Sequence, residues 1–275
     1  MNRKDLNPDS SPEAAFGARL RRMREDRGWT QEELGKRMGY SGRHISAVET
    51  GRKPPTRRFA LSADRVMGTG DLFENDWKEI KHGNLLEGFP EYLIHEGAAA
   101  EIRIYEVGVV PGLLQTPAYA AALAAGAVKR GAITPEEADE FVALAAERQA
   151  ALQRNPSPML FAVLDESCLR CPVGGPEVMK EQFDQLLEFA EQPNTILQIA
   201  PFTMGEHRAF TLPLYILTMQ DRSLMSYAES AHRGHLERES SVVLPILTAY
   251  HQLQAGALTQ ASSVEMIREL RKGTP

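Results

Sequence analysis

Residues 14 to 68 carry a run of short helical patterns whose breaks strongly constrain what the chain can fold into. Phe16, Leu20 and Met23 fall at i, i+4 and i+7 on one face of a first helix, with Arg19, Arg21, Arg22 and Arg24 around them, and Gly28 ends it. Thr30 with Glu33 three residues later is a capping box that opens a second helix with Leu34 and Met38 inward, and Gly39 stops it. Ser41 caps a third helix that buries Ile45 and Val48, and Gly51 closes it. Pro54-Pro55 then imposes extended backbone before a fourth helix near residues 56–67. The tight turn Met38-Gly39-Tyr40-Ser41 between the second and third helices gives the spacing of a helix-turn-helix.

Charge supports a phosphate partner for this stretch and only this stretch. The net charge of −6 over 275 residues argues against nucleic acid when taken alone. Split at residue 70, the chain holds 15 Lys/Arg against 9 Asp/Glu before the cut and 16 against 28 after it. The result is a head of +6 on a body of −12, an asymmetry that points to nucleic-acid binding by one half.

The second helix of such a pair stands proud of the surface, so its first turn can enter a major groove about as wide as one helix. Its exposed residues are Gly42, Arg43, His44, Ser46 and Ala47. Arg43 can reach both acceptors of a guanine, worth about 1–3 kcal/mol of discrimination, and the small Gly42 and Ala47 allow close approach to base edges. Gly42, Arg43, His44 and Ala47 are therefore the expected base-reading set, with His44 placed for a phosphate, a base or neither. One such unit reads few base pairs, so a homodimer on two-fold related double-stranded DNA is expected.

The run W-T-Q-E-E-L-G-K-R-M-G-Y-S-G-R-H-I-S-A-V-E-T-G-R-K-P-P resembles the Xre/lambda-repressor-like family of helix-turn-helix regulators over residues 14–68. The resemblance implies that Gln31 contacts phosphate, that Thr50, Arg52 and Lys53 grip the DNA backbone after the recognition helix, and that Arg24 and Glu49 form a structural ion pair between the first and third helices. Thr30, Ser41 and Ser46 complete the expected phosphate-contacting set.

Residues 1–13 are polar and read as a disordered tail, and 69–83 as a connector with some helix. Residues 84–272 mix helical patterns with short apolar runs at 159–164, 195–200, 212–218 and 224–227, and a terminal helix over 236–255. The expected fold class is thus an N-terminal all-α helix-turn-helix domain of four to five short helices followed by a larger α+β domain without regular βαβ alternation. This body contains E-x-x-A-A-x-I-R-x-Y-E-V-G-V-V-P-G-L-L-Q-T-P-x-Y-A, then D-E-S-C-L-R-C-P-V-G-G and L-Q-I-A-P-F, and resembles the C-terminal domain of Scr-type antitoxin-like regulators, the WhiJ-type proteins of actinomycetes. That resemblance implies transcription control together with a small acidic partner protein encoded nearby. The loop Pro111-Gly112-Leu113-Leu114-Gln115-Thr116 beside Tyr119 reads either as a core plug or as a docking surface for a ligand or partner.

Enzyme signatures are missing: there is no Gly-x-Ser-x-Gly elbow, P-loop or Gly-x-Gly-x-x-Gly. Cys168-Leu-Arg-Cys171 has the spacing of a redox pair or half a metal site but no second ligand pair, and reads as two plain thiols. Glu229, His232 and His235 read as a solvated loop cluster. No cofactor or metal is expected. No apolar run approaches the ~18 residues of a membrane span, and the polar start does not resemble a signal peptide, so a cytoplasmic protein is expected. The sequence thus predicts a DNA-binding transcription regulator whose second domain dimerises and binds a small partner protein or ligand; the alternative is an antitoxin-type protein that sequesters a small partner, its DNA binding being autoregulatory.

Overall fold

A computed structural model describes residues 11–82, 86, 88–230 and 233–273, and the chain divides between Leu85 and Leu86 into two compact units. In the first, α1 (Pro12–Glu25), α2 (Gln31–Met38), α3 (Gly42–Glu49), α4 (Arg57–Met67) and α5 (Leu72–His82) enclose one core that includes Phe16, Leu20, Leu34, Ile45, Phe59 and Phe73. The Thr30–Glu33 capping box is formed in both directions, and Gly39 ends α2 at φ 79°, a left-handed conformation that glycine adopts without steric cost. A Cβ on Gly35 would lie 2.6 Å from the Tyr40 carbonyl oxygen, so only glycine lets the turn fold back this closely on α2.

Two expectations for this unit need correction. The tail expected over 1–13 falls mostly on residues outside those described, but Pro12 and Glu13 belong to α1, whose N-cap Ser11 accepts the Ala14 N–H. The stretch expected as a connector, 69–83, is mostly α5, and Phe73 packs edge-on to Phe16 with ring centroids 5.1 Å apart. The reason is a cap supplied from α4: the buried Asp64 carboxylate accepts the N–H groups of Phe73 at 2.9 Å and Glu74 at 2.8 Å, satisfying the first turn of α5.

The second unit contains α6 (Phe89–Ala98), β1 (Glu101–Glu106), α7 (Pro117–Lys129), α8 (Pro135–Leu152), β2 (Met159–Asp165), α9 (Ser167–Arg170), α10 (Pro176–Glu191) and β3 (Thr195–Ala200). It continues through β4 (Leu214–Thr218), β5 (Leu224–Glu229), β6 (Gly234–Glu237), α11 (Ser240–Gly256) and α12 (Gln260–Gly273). The six strands form one sheet in the order β3-β2-β1-β4-β5-β6. Strands β1, β2 and β3 run parallel, with Ile104 opposite Ala162 and Ala162 opposite Leu197, while β4, β5 and β6 pair antiparallel.

Period-two alternation sorts the strand residues between two cores. Ile102, Ile104 and Leu197 face Tyr92 of α6, Tyr119 of α7, Phe183 of α10 and Ile267 of α12. Tyr105, Val163 and Ile216 face Val243, Tyr250 and Leu253 of α11. The class is α+β, yet β1 to β2 and β2 to β3 are successive helical crossovers between parallel strands, an alternation not expected from the sequence. The helix expected from Leu236 begins instead at Ser240, because Leu236 pairs with Tyr227 in β6.

Candidate nucleic-acid interface

The interface is built on α3 and the turns at its two ends. Ser41 caps α3 by accepting the His44 N–H, and Thr30 caps α2 by accepting the Glu33 N–H, so both hydroxyls are already engaged in helix geometry. The Glu33 carboxylate receives the Thr30 N–H and hydroxyl in return, which hold it below the usual carboxylate range. Arg43 is exposed at the first turn of α3 and takes no part in any hydrogen bond or ion pair among the described residues. Ser46 and Ala47 are half-buried on the same helix.

His44 is held more tightly than its neighbours. Its ring stacks on Phe59 of α4 at 5.5 Å and 17°, and lies 4.8 Å from the Tyr40 ring. Burial, followed by the nearby Lys53 charge, pushes its imidazole below the ordinary histidine value, so near neutrality it is uncharged. The expected role for Gly42 also changes. A Cβ there would lie 3.0 Å from Glu32 Cγ and 3.2 Å from Glu32 Cα, so its smallness serves the contact of α3 with α2 before any approach to a base.

Behind α3, Glu49 is fully buried and gathers three helices. Arg24 of α1 donates through Nε to Oε1 at 2.6 Å and through Nη2 to Oε2 at 3.0 Å. Gln31, at the start of α2, donates to Oε2 at 2.8 Å. The residue whose resemblance implies a phosphate contact is thus oriented by the same carboxylate as Arg24. At the other end of α3, the Thr50 hydroxyl donates to the Ser46 carbonyl at 2.6 Å and accepts from Arg52 Nε at 2.9 Å, and Arg52 and Lys53 are exposed.

Two further cations were not singled out by the motif. Arg57 and Arg58 open α4 directly after the Pro-Pro-Thr cap, two and one residues before Phe59, on which His44 stacks. Arg57 is paired with Glu74 at 3.0 Å, and both arginines line a surface cavity with Tyr40, Leu61 and Arg65. The sequence signal was present as two adjacent arginines after a helix cap.

The description "Helix-turn-helix domain" matches residues 15–73, which reaches Leu72 and Phe73 at the start of α5, and the description "Domain of unknown function (DUF5753)" matches residues 89–269. The second match spans nearly the whole of the second unit and well over half of the chain. The chain belongs to this DUF5753 family. Its first unit matches a helix-turn-helix domain. No curated protein and no solved structure matches the chain.

In the DUF5753 unit the loop weighed as a docking surface is turned inward. Leu113 and Leu114 are buried, Gln182 of α10 accepts the Thr116 N–H and donates to the Leu114 carbonyl, and Gln149 of α8 donates to the carbonyls of Gly112 and Gln115. Pro111 is buried too, Gln115 donates to the Val110 carbonyl, and the Tyr119 hydroxyl accepts the Val110 N–H at 3.1 Å. With its leucines committed to the core, the loop leaves no apolar surface for a partner. Cys168 is buried, with Sγ 3.3 Å from the Glu106 carbonyl oxygen, while Cys171 is exposed and both are free thiols. Among the described residues no group of three His, Cys, Asp or Glu side chains could hold a metal ion, and His232 lies outside those described. Among the same residues no helix is long and apolar enough to cross a membrane.

Proposed function

We propose that the chain is a sequence-specific transcription regulator whose helix-turn-helix unit reads double-stranded DNA and whose DUF5753 unit dimerises and receives a signal. The carrying observation is the exposed, unengaged Arg43 on the first turn of a recognition helix held from behind by Arg24 and Gln31 through Glu49. Gly42, His44 and Ala47 form the rest of the base-reading face in this reading. Gln31, Arg52 and Lys53 supply charge and hydrogen bonds to phosphates, with the hydroxyls of Thr30, Ser41, Ser46 and Thr50 beside them. Two copies on a two-fold related site double the sequence read by one helix. The chain acts by binding in this reading, not by catalysis, and works in the cytoplasm.

Selection of bound duplexes from a random pool tests the proposal: a single enriched motif with two-fold symmetry is the expected result, and uniform retention of all sequences overturns it. The antitoxin-type alternative, in which the body sequesters a small acidic protein, rests on the family resemblance and predicts that such a protein co-purifies from the native host.

A further inference from the structure

We propose that the DUF5753 unit carries a binding site for a small, neutral, largely apolar molecule in the cavity between α9, α10 and α12, with a hydrogen-bond acceptor at one end of the ligand and a donor at the other. The cavity has a volume of about 370 Å³, within the range of small-molecule sites. Its floor is apolar: Leu169, Met179 and Phe183 are each at most 5 % exposed. It follows directly on the carboxyl end of β2, the end of parallel strands at which open α/β sheets present their ligands.

The walls supply two charged groups of opposite hydrogen-bonding character. Arg170 on α9 is anchored at Nε by the Glu166 carboxylate at 2.5 Å, and that carboxylate is itself fixed by the Phe202 N–H at 2.7 Å. This leaves the terminal guanidinium nitrogens, which only donate, without a partner in this ion pair on a half-exposed side chain that lines the cavity. Glu269 on α12 is exposed, only accepts when ionised, and has no ion pair among the described residues. A guanidinium and a carboxylate on one apolar cavity complement a neutral molecule polar at both ends better than a strong anion or cation, which would meet one like charge.

The site deepens the proposed function by naming what the second unit binds, and it rests on that reading only for its regulatory meaning. Binding is measured on the full chain without DNA, so failure here is distinct from failure of DNA recognition. The probe is 7-amino-4-methylcoumarin, a neutral apolar bicycle with an amine donor at one end and a carbonyl acceptor at the other, followed by its fluorescence. One saturable site per chain is expected. Gly273, the last residue of α12, lines the cavity, and a Cβ there meets nothing within 4 Å. Gly273→Trp therefore fills the mouth and is expected to weaken binding at least tenfold, with the thermal melt unchanged. Arg170→Ala and Glu269→Ala, at exposed positions, are each expected to weaken it by about tenfold, the factor that 1.4 kcal/mol of lost hydrogen bonding produces. The 7-dimethylamino analogue, which has no donor, is expected to bind the wild type less tightly and to be insensitive to Glu269→Ala. Absence of saturable binding overturns the proposal, as does binding that Gly273→Trp, Arg170→Ala and Glu269→Ala all leave unchanged.

Discussion

The guanidinium of Arg24 and the carboxylate of Glu49 meet through two hydrogen bonds, 2.6 and 3.0 Å long, at a point where Glu49 has no exposed surface and Arg24 has 8 %. A buried pair of this kind is weak evidence of net stabilisation, but removing Arg24 leaves the Glu49 carboxylate in the core with only the Gln31 hydrogen bond and the Arg21 guanidinium at 3.8 Å, at a cost of up to about 3–5 kcal/mol. Arg24→Ala is therefore expected to lower the stability of the first unit by that order, and an Arg24→Met, Glu49→Leu double variant to recover most of the loss. Both tryptophans, Trp29 and Trp77, lie in this unit, so denaturant unfolding followed by tryptophan fluorescence reads it alone. A single-variant loss below 1 kcal/mol would show that water reaches the orphaned Glu49.

Arg43 and Lys53 are expected to fail differently on DNA. Arg43 stands on the first turn of α3, so Arg43→Ala is expected to cost about 1–3 kcal/mol on the selected sequence and little on random DNA. Lys53 follows the helix, and Lys53→Ala is expected to weaken binding to both alike and to reduce the slope of log affinity against log salt by about one. Anisotropy titrations on both duplexes at several salt concentrations separate the two; equal losses on the two sequences for Arg43→Ala would remove it from the base-reading set.

The helix-turn-helix was legible because its determinants are local. Thr30 with Glu33, Gly39 and Ser41 act within one or two turns of where they stand, and each does so in the structure. What escaped reading depends on partners far along the chain. The start of α5 is fixed by Asp64, nine and ten residues before the amides it receives, and β6 exists only through its pairing with β5. Gln31 is similar, because its hydrogen bond to Glu49 spans 18 residues and no pattern in the sequence announces it. The roles of α9 and the Arg170–Glu269 cavity are harder still, since α9 is a four-residue helix and α12 reaches it from the far end of the chain.

Only one of the two cysteines is expected to react in the native protein. Burial pushes the Cys168 thiol well above its ordinary value, with the Glu106 and Asp165 charges acting in the same direction, whereas Cys171 is exposed. A thiol-specific disulfide reagent is expected to titrate one equivalent in the native protein and two in denaturant. Two fast equivalents without denaturant would restore the possibility of a redox pair, as would loss of DNA affinity on mild oxidation.

Glu106 makes the stability of the second unit depend on pH. It lies at the end of β1, 6 % exposed, with its carboxyl accepting the Tyr215 hydroxyl at 2.7 Å and the Val107 N–H at 3.2 Å. Burial outweighs both hydrogen bonds and pushes its value up to about 7; the Glu229 charge acts in the same direction, and Arg148 opposes it. In the unfolded chain the same group titrates near ~4.3. Below that pH both states are protonated and the shift has no effect. Between the two values the folded chain keeps a proton that the unfolded chain has released, so stability falls as pH rises, and above about pH 7 the loss is complete. At 1.36 kcal/mol per unit it amounts to roughly 4 kcal/mol. Glu106→Gln keeps an acceptor for Tyr215 and removes the titration. The variant is expected to melt above the wild type at pH 8, with the gap closing toward pH 5, in the calorimetric transition of the second unit. A gap independent of pH, or one that widens in acid, would mean that Glu106 is ionised in the folded core, with Arg148 compensating its charge.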